Sequence, residues 1–97
     1  MKTLEQIRKI LELNKDELRR RYAVKEMGIF GSYVREEQEK ESDVDILIDF
    51  EKPVSLLRVV SLENYLSDLL GLKADVVPKE DVRPELKDEI FEEAVYL

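Results

Sequence analysis

The feature that most constrains the fold is a segment of alternating acidic and apolar residues, Asp43–Phe50, which reads Asp-Val-Asp-Ile-Leu-Ile-Asp-Phe. Successive side chains of a β-strand point to opposite faces, so this pattern predicts a strand with one acidic face and one core face. The acidic face holds Asp43, Asp45, Leu47 and Asp49, and the core face holds Val44, Ile46, Ile48 and Phe50.

Two carboxylates on one strand face suggest a cation site. At a rise of about 3.3 Å per residue, the Cα atoms of Asp43 and Asp45 lie roughly 6.5 Å apart, so their oxygens can converge on one ion. Asp75 lies on another short predicted strand, and adjacent strands are about 4.8 Å apart. If the two strands are neighbours, three carboxylates line one cleft. We therefore predict Asp43, Asp45 and Asp75 as catalytic and metal-binding residues for Mg²⁺, with two ions roughly 3.5–4 Å apart.

A small-residue turn, Gly31-Ser32, follows the apolar run Met27–Phe30 and precedes a charged segment of good helix formers. Such a corner suits a phosphate, because glycine allows close backbone approach and Ser32 offers a hydroxyl and N–H groups at a helix N-terminus. Arg35, one turn later, could reach a phosphate or pair with a carboxylate. Gly31, Ser32 and Arg35 are therefore the predicted nucleotide-binding residues.

The remaining elements are predicted from hydrophobic periodicity, caps and breakers, and they give the order α-β-α-β-α-β-α. Such alternation predicts an α/β (α+β) fold in a single domain, residues 1–97. Capping boxes are expected at Thr3–Gln6 and Asn14–Glu17, and Ser55 is an expected N-cap. The first predicted helix ends near Tyr22, and a break with a restart at Asn14 is left open as an alternative. The other predicted helices are Ser32–Lys40, Ser55 to Gly71, and a last helix from Pro84 with the apolar face Leu86, Ile90, Phe91, Ala94 and Val95. The predicted strands are Ala23–Phe30, Asp43–Phe50 and Lys73–Val77.

Composition excludes several classes of function. The net charge of −7 disfavours nonspecific binding to nucleic acid or anionic lipid, which needs a basic surface, and it permits a basic protein partner. The chain has no cysteine and no histidine, which removes thiolate metal sites, His-based zinc sites and Ser-His catalysis. No apolar run approaches the roughly 20 residues that span a bilayer, so we expect a cytoplasmic protein with no membrane contact.

These motifs together resemble the DNA polymerase beta-like nucleotidyltransferase superfamily, and the short length resembles its minimal nucleotidyltransferase (MNT) branch. The resemblance rests on Gly31-Ser32, an Asp-x-Asp strand starting at Asp43, and a lone Asp75 on the next strand. It implies a nucleotidyltransferase fold: a small mixed sheet, here three-stranded, flanked by helices. It also implies that Gly31 and Ser32 hold the triphosphate of ATP, that Asp43 and Asp45 bind Mg²⁺, and that Asp75 acts as general base.

Many MNT proteins are antitoxins paired with a HEPN-domain ribonuclease toxin, which they silence by transferring AMP to a tyrosine. The resemblance therefore implies Mg²⁺-dependent transfer of AMP from ATP to a hydroxyl of such a toxin. Two alternatives stay open: a non-catalytic antitoxin that masks the toxin by binding, and, more weakly, transfer to a small molecule of the aminoglycoside type. The sequence departs from the family at Glu36, where a glycine is common.

Overall fold

The computed structural model describes residues 2–37 and 43–97, in which helices pack against one mixed sheet. The helices are α1 (Leu4–Leu13), α2 (Lys15–Tyr22), α3 (Leu56–Leu70) and α4 (Pro84–Glu93), and the strands are β1 (Val24–Phe30), β2 (Val44–Phe50), β3 (Ala74–Pro78) and β4 (Val95–Tyr96). The strand order is β3-β2-β1-β4; β2 and β3 are parallel and the other neighbours are antiparallel. No helix in these two ranges combines the length and apolar character needed to cross a membrane.

Local capping explains where the first helices begin and end. The predicted capping box at Thr3 is confirmed: its Oγ1 accepts from Gln6 N (3.2 Å), and Gln6 Oε1 accepts from Thr3 N (2.8 Å). The second predicted box is wrong, because the Asn14 side chain makes no N-cap bond. Instead Asn14 Nδ2 donates to the carbonyl of Ile10 (2.8 Å) and closes α1. The expected break at this residue nevertheless occurs.

The sheet has four strands in the described part of the chain, where the sequence predicted three. The additional strand, β4, pairs antiparallel with β1 through Ile29 and Val95. Val95 was predicted on the apolar face of the last helix, but α4 ends at Glu93 and Ala94 is extended (φ −60°, ψ 136°). A β-branched residue followed by an aromatic one favours an extended chain, and the open edge of β1 supplies its hydrogen-bonding partner.

The predicted helix Ser32–Lys40 is also wrong over the residues that the structure describes. Only a 3₁₀ turn forms, over Gly31–Tyr33, and it is followed by a turn that ends before Glu37. Residues 38–42 of the predicted helix and the following loop lie outside the described residues. Within the described residues, no α-helix forms between β1 and β2, where the predicted order α-β-α-β-α-β-α has its second helix.

The core lies between the sheet and helices α1, α2 and α3, and β2 runs through its centre. The predicted core face of β2 is confirmed, since Val44, Ile46 and Ile48 are fully buried and Phe50 is partly buried against them. Leu47, on the opposite face, is also buried. Both faces of the middle of β2 are therefore covered, while Asp45, near its start, keeps partial access to solvent.

The outer edge of β3 is closed by side chains of α3. Val76 N donates to Glu63 Oε2 (2.8 Å), and Ala74 N donates to Ser67 Oγ (2.9 Å). Because β3 is the last strand on this side of the described sheet, no strand accepts from these two N–H groups there. Side chains therefore supply the acceptors that a buried or half-buried backbone N–H requires.

Candidate active site

Strand register places two of the predicted carboxylates next to each other. Asp45 of β2 pairs with Asp75 of β3 in parallel register, and on its other side it pairs with Phe30 at the end of β1. Paired residues on adjacent strands point to the same face, with strands about 4.8 Å apart. Gly31 directly follows Phe30, so the glycine corner lies against Asp45 on the side away from Asp75.

Asp43 lies immediately before β2 and joins this pair. Its negative charge is close enough to raise the pKa of both Asp45 and Asp75. A cation lies beside it, since Lys73 Nζ is 3.7 Å from Asp43 Oδ2. Because the lysine side chain is 71% exposed, this ion pair compensates little of the negative charge. The structure thus brings together all three predicted carboxylates.

Burial and mutual repulsion both act on the carboxylates. The pKa of Asp45 is raised, first by burial and then by the charges of Asp75 and Asp43, although the nearby Arg35 opposes this. Burial also raises the pKa of Asp75, and the charge and hydrogen bond of Asp43 add to it. Among residues 2–37 and 43–97, Arg35 and Lys73 offset only part of this negative charge, since the pKa values of both carboxyl groups are still raised.

The donor set fits a hard divalent cation. All three groups offer carboxylate oxygens, the ligand type that Mg²⁺ prefers, and their repulsion is of the kind that a bound cation relieves. Across residues 2–37 and 43–97, however, no three Asp, Glu, His or Cys side chains already surround a single ion position. A cation here would need oxygens from another molecule to complete its coordination.

The glycine corner depends on Gly31 having no side chain. Its φ is +82°, and a Cβ at this position would overlap Asp45 Oδ2 and lie 3.1 Å from Asp45 Cγ. Glycine therefore allows the backbone to adopt a left-handed conformation and to lie directly on the carboxylate. Ser32 follows in the 3₁₀ turn and is half-buried.

Arg35 pairs with carboxylates, which was one of the two predicted outcomes for it. Its Nη1 donates to Glu93 Oε1 (2.8 Å) and its Nε to Glu37 Oε2 (3.2 Å). These two partners raise the pKa of Arg35, Glu37 through a hydrogen bond and Glu93 through its charge. The same Glu93 Oε1 also accepts from Gly31 N (2.9 Å). One oxygen from α4 therefore holds both the corner and the arginine.

Glu93 was not identified from the sequence, although a weak signal exists. It lies seven residues after Leu86 and three after Ile90, positions that were assigned to the apolar face of this helix. A charged residue at such a position has to meet a partner when the helix docks. The sequence does not say which partner, because Gly31 is 62 residues away.

Two residues beside the corner are unusual, Tyr33 in the environment of its hydroxyl and Glu36 in its backbone conformation. Tyr33 is buried in the core, and its hydroxyl has no hydrogen-bond partner among the described residues. Burial, followed by the charge of Asp43, raises the pKa of this hydroxyl. Glu36, where the resemblance leads one to expect glycine, has φ +59°, a left-handed conformation that favours glycine.

Comparison with known sequences agrees with this geometry. Residues 7–97 match the family model described as a nucleotidyltransferase domain. The chain is 50% identical over 97 residues to protein adenylyltransferase MntA of Thermococcus cleftensis, covering 100% of this chain and 98% of that protein. It is 51% identical over 98 residues to MJ1217 of Methanocaldococcus jannaschii, provisionally named a protein adenylyltransferase, with both chains covered completely.

Comparison with solved structures supports the fold. A structure provisionally described as a minimal nucleotidyltransferase superposes with a TM-score of 0.82 at 33% identity, covering 99% of this chain and 97% of the other. A chain from a toxin–antitoxin structure with AMP-PNP gives 0.74 at 21% identity, covering 93% and 70%. A chain from a complex of tri-AMPylated Shewanella oneidensis HEPN toxin with MNT antitoxin gives 0.65 at 19%, covering 93% and 66%. The resemblance seen in the sequence is confirmed, and the chain belongs to the nucleotidyltransferase domain family.

Proposed function

We propose that this protein transfers AMP from ATP to a hydroxyl of a HEPN-type toxin, most simply a tyrosine, and so acts as its antitoxin. The observation that carries the proposal is the side-by-side register of Asp45 and Asp75 next to the Gly31 corner. The names of the sequence relatives and the contents of the related toxin–antitoxin structures support it. A single domain over residues 1–97 and a cytoplasmic location are part of the same proposal.

The glycine corner and the carboxylate cluster have different roles in binding ATP. Gly31 and Ser32 form the corner that receives the triphosphate, and Arg35 lies one turn away with a guanidinium that can face a phosphate. On the other side, the carboxylates would hold Mg²⁺, whose remaining ligands would be phosphate oxygens. When bound, Mg²⁺ neutralises charge on the phosphates and stabilises the attacking and leaving oxygens. The residues proposed to hold it are Asp43, Asp45 and Asp75.

In the reaction, the acceptor hydroxyl oxygen attacks the α-phosphorus of ATP. A new O–P bond forms, the bond to the β-phosphate oxygen breaks, and pyrophosphate leaves. The hydroxyl proton passes to a base, for which Asp75 is the proposed group. Its register with Asp45 places a carboxylate at this end of the sheet that can accept the proton.

Silencing by binding alone is the second candidate, and the net charge of −7 favours it because an acidic surface suits a basic toxin. Masking, however, does not require three mutually repelling carboxylates at one end of the sheet. Such a cluster lowers the free energy of unfolding. Binding of a cation or nucleotide at the cluster would offset this loss, whereas masking would not. We therefore favour catalysis.

The test is transfer of label from ATP to the product of the adjacent open reading frame in the presence of Mg²⁺. Label at the α-phosphate should appear on that protein, and label at the γ-phosphate should not, which separates AMP transfer from phosphorylation. The variant Asp43→Asn/Asp45→Asn should transfer no label and should lose protection of cells from the toxin. Protection by the double variant, with no label transferred by the wild type, would instead establish masking.

Addition of Mg²⁺ and ATP together should raise the melting temperature relative to EDTA. Ligands that bind only the folded state stabilise by RT ln(1 + [L]/Kd), which is about 1.4 kcal/mol at ten times Kd. For a chain of this size that corresponds to a rise of about 5–10 °C. Differential scanning fluorimetry measures it, with ATP and EDTA as the control. No change at millimolar Mg²⁺ and ATP would contradict a competent nucleotide site.

A further inference from the structure

The carboxylate of Glu93 connects the end of α4 to both halves of the predicted phosphate-binding segment. Its Oε1 accepts from Gly31 N at 2.9 Å and from Arg35 Nη1 at 2.8 Å, both short enough for strong hydrogen bonds. The side chain is only 19% exposed, so these bonds are partly shielded from water. In the sequence, Glu93 is 58 residues from Arg35 and 62 residues from Gly31. These bonds are therefore tertiary contacts of the fold and not part of the local structure of α4.

We propose that Glu93 is a positioning residue for ATP: it sets the direction of the Gly31 peptide and the orientation of the Arg35 guanidinium that face the triphosphate. The inference rests on the proposed function, since it assigns Glu93 a role in binding the substrate of that reaction. Glu93 contacts neither the acceptor nor the reacting phosphorus in this proposal, and it acts through Gly31 and Arg35.

The first reason is the conformation of the corner. Gly31 has φ +82°, and glycine is flexible enough to leave this conformation unless something holds it. The bond from its N–H to Glu93 fixes the orientation of the peptide between Phe30 and Gly31. Because the Gly31 N–H donates to Glu93, it is not available to ATP. The corner therefore presents its other groups to the triphosphate.

The second reason is the use of the Arg35 donors. Glu93 takes one N–H of Nη1 and Glu37 takes the N–H of Nε, so the guanidinium plane is held from two directions. A guanidinium has more donors than these two contacts use, and among the described residues those on Nη2 have no partner, so they can face a phosphate. A fixed guanidinium loses less entropy when it binds an anion than a free arginine side chain does.

The third reason is that the contact has an electrostatic cost. Glu93 adds a negative charge beside the carboxylate cluster and contributes to the raised pKa of Asp45. None of the residues of α4 is fully buried, so the helix is not held to the sheet by a large apolar interface. The hydrogen bonds of Glu93 are better explained by the orientation that they give to Gly31 and Arg35 than by packing of α4.

The test compares Glu93→Ala and Glu93→Gln with Glu92→Ala, a matched control that removes an exposed charge from the neighbouring position. For AMP transfer, Glu93→Ala should raise KM for ATP about 10-fold or more and change kcat much less, because a charge-assisted pair that orients a binding group is lost. Glu93→Gln keeps an acceptor for Gly31 N–H and should raise KM only a few-fold. Glu92→Ala should match the wild type in both constants.

Direct binding of Mg²⁺–ATP, measured by calorimetry, separates this inference from the proposed function. If the wild type binds ATP but transfers no AMP, the proposed function fails, and weaker binding by Glu93→Ala still supports the positioning role. If Glu93→Ala binds ATP as tightly as the wild type, or changes kcat and KM no more than Glu92→Ala does, the positioning role is overturned. If the wild type binds no ATP, both proposals are overturned.

Discussion

Asp45→Asn should abolish AMP transfer and, in the absence of ligand, raise the melting temperature. The loss of activity should be at least about 10³-fold, the size expected when roughly 4 kcal/mol of transition-state stabilisation disappears with a metal-binding carboxylate. The gain in stability follows because the variant removes a half-buried charge that Asp75 and Asp43 repel. A stabilisation of about 1 kcal/mol would appear as a rise of about 4–8 °C.

The gain in stability should depend on pH with a defined sign. The folded-state pKa of Asp45 lies above its unfolded value, so the folded protein binds more protons than the unfolded chain between the two values. The stability of the wild type therefore falls as pH rises through this window, and at neutral pH the cost is fully present. The difference in melting temperature between Asp45→Asn and the wild type should be largest at neutral pH and shrink as pH approaches about 4.

Asp49→Asn provides the matched control for the loss of activity. Asp49 lies on the same strand and is also half-buried, but it is at the far end of β2, opposite Glu26 and away from the carboxylate cluster. This variant should keep AMP transfer within about twofold of the wild type, as expected for a residue outside the site. A lower melting temperature for ligand-free Asp45→Asn would show that Asp45 makes a stabilising contact and that repulsion does not dominate.

Gly31→Ala should have the second largest effect, on both stability and activity. An L-residue in the left-handed region costs roughly 1–2 kcal/mol, and the new methyl group would overlap the Asp45 carboxylate. Relief of the overlap requires the carboxylate or the corner to move, and a shift of about 1 Å in a catalytic site can lower the rate about 100-fold. We expect a lower melting temperature together with loss of AMP transfer.

Gly71→Ala separates backbone strain from the overlap with Asp45. Gly71 ends α3 with φ +67°, but the one described atom within 4 Å of a Cβ there is Lys2 Nζ, at 3.9 Å. It should therefore cost stability of the same order through strain alone, while AMP transfer per folded molecule stays at the wild-type level. Equal activity in Gly31→Ala and Gly71→Ala would show that the contact between Gly31 and Asp45 is not needed for the reaction.

The central part of the site was accessible to sequence reasoning because it depends on local patterns. Alternation along β2 specifies which face carries Asp45, and a strand of similar length after α3 is the natural parallel neighbour. The observed register of Asp45 with Asp75 agrees with that reasoning. Gly31 was recognisable as a corner, although its closest partner is a carboxylate of the site itself.

The parts that sequence reasoning missed depend on contacts between distant segments. β4 is only two residues long and forms because the edge of β1 is available, which periodicity in residues 84–97 does not reveal. Glu93 acquires its partners only after α4 has docked on the sheet. The predicted helix after Ser32 had good helix formers, but its first turn is 3₁₀ and Glu36 takes a left-handed conformation, which ends any helix there.

The carboxylate of Glu63 on Val76 N has a consequence for association between molecules. Edge strands with free N–H groups can template the addition of a foreign strand, which leads to aggregation or to unintended pairing. At Val76 the position that an incoming carbonyl would occupy is already filled by an internal acceptor. Addition of a strand on this side of the sheet is therefore blocked, and a protein partner that binds at this edge has to recognise side chains.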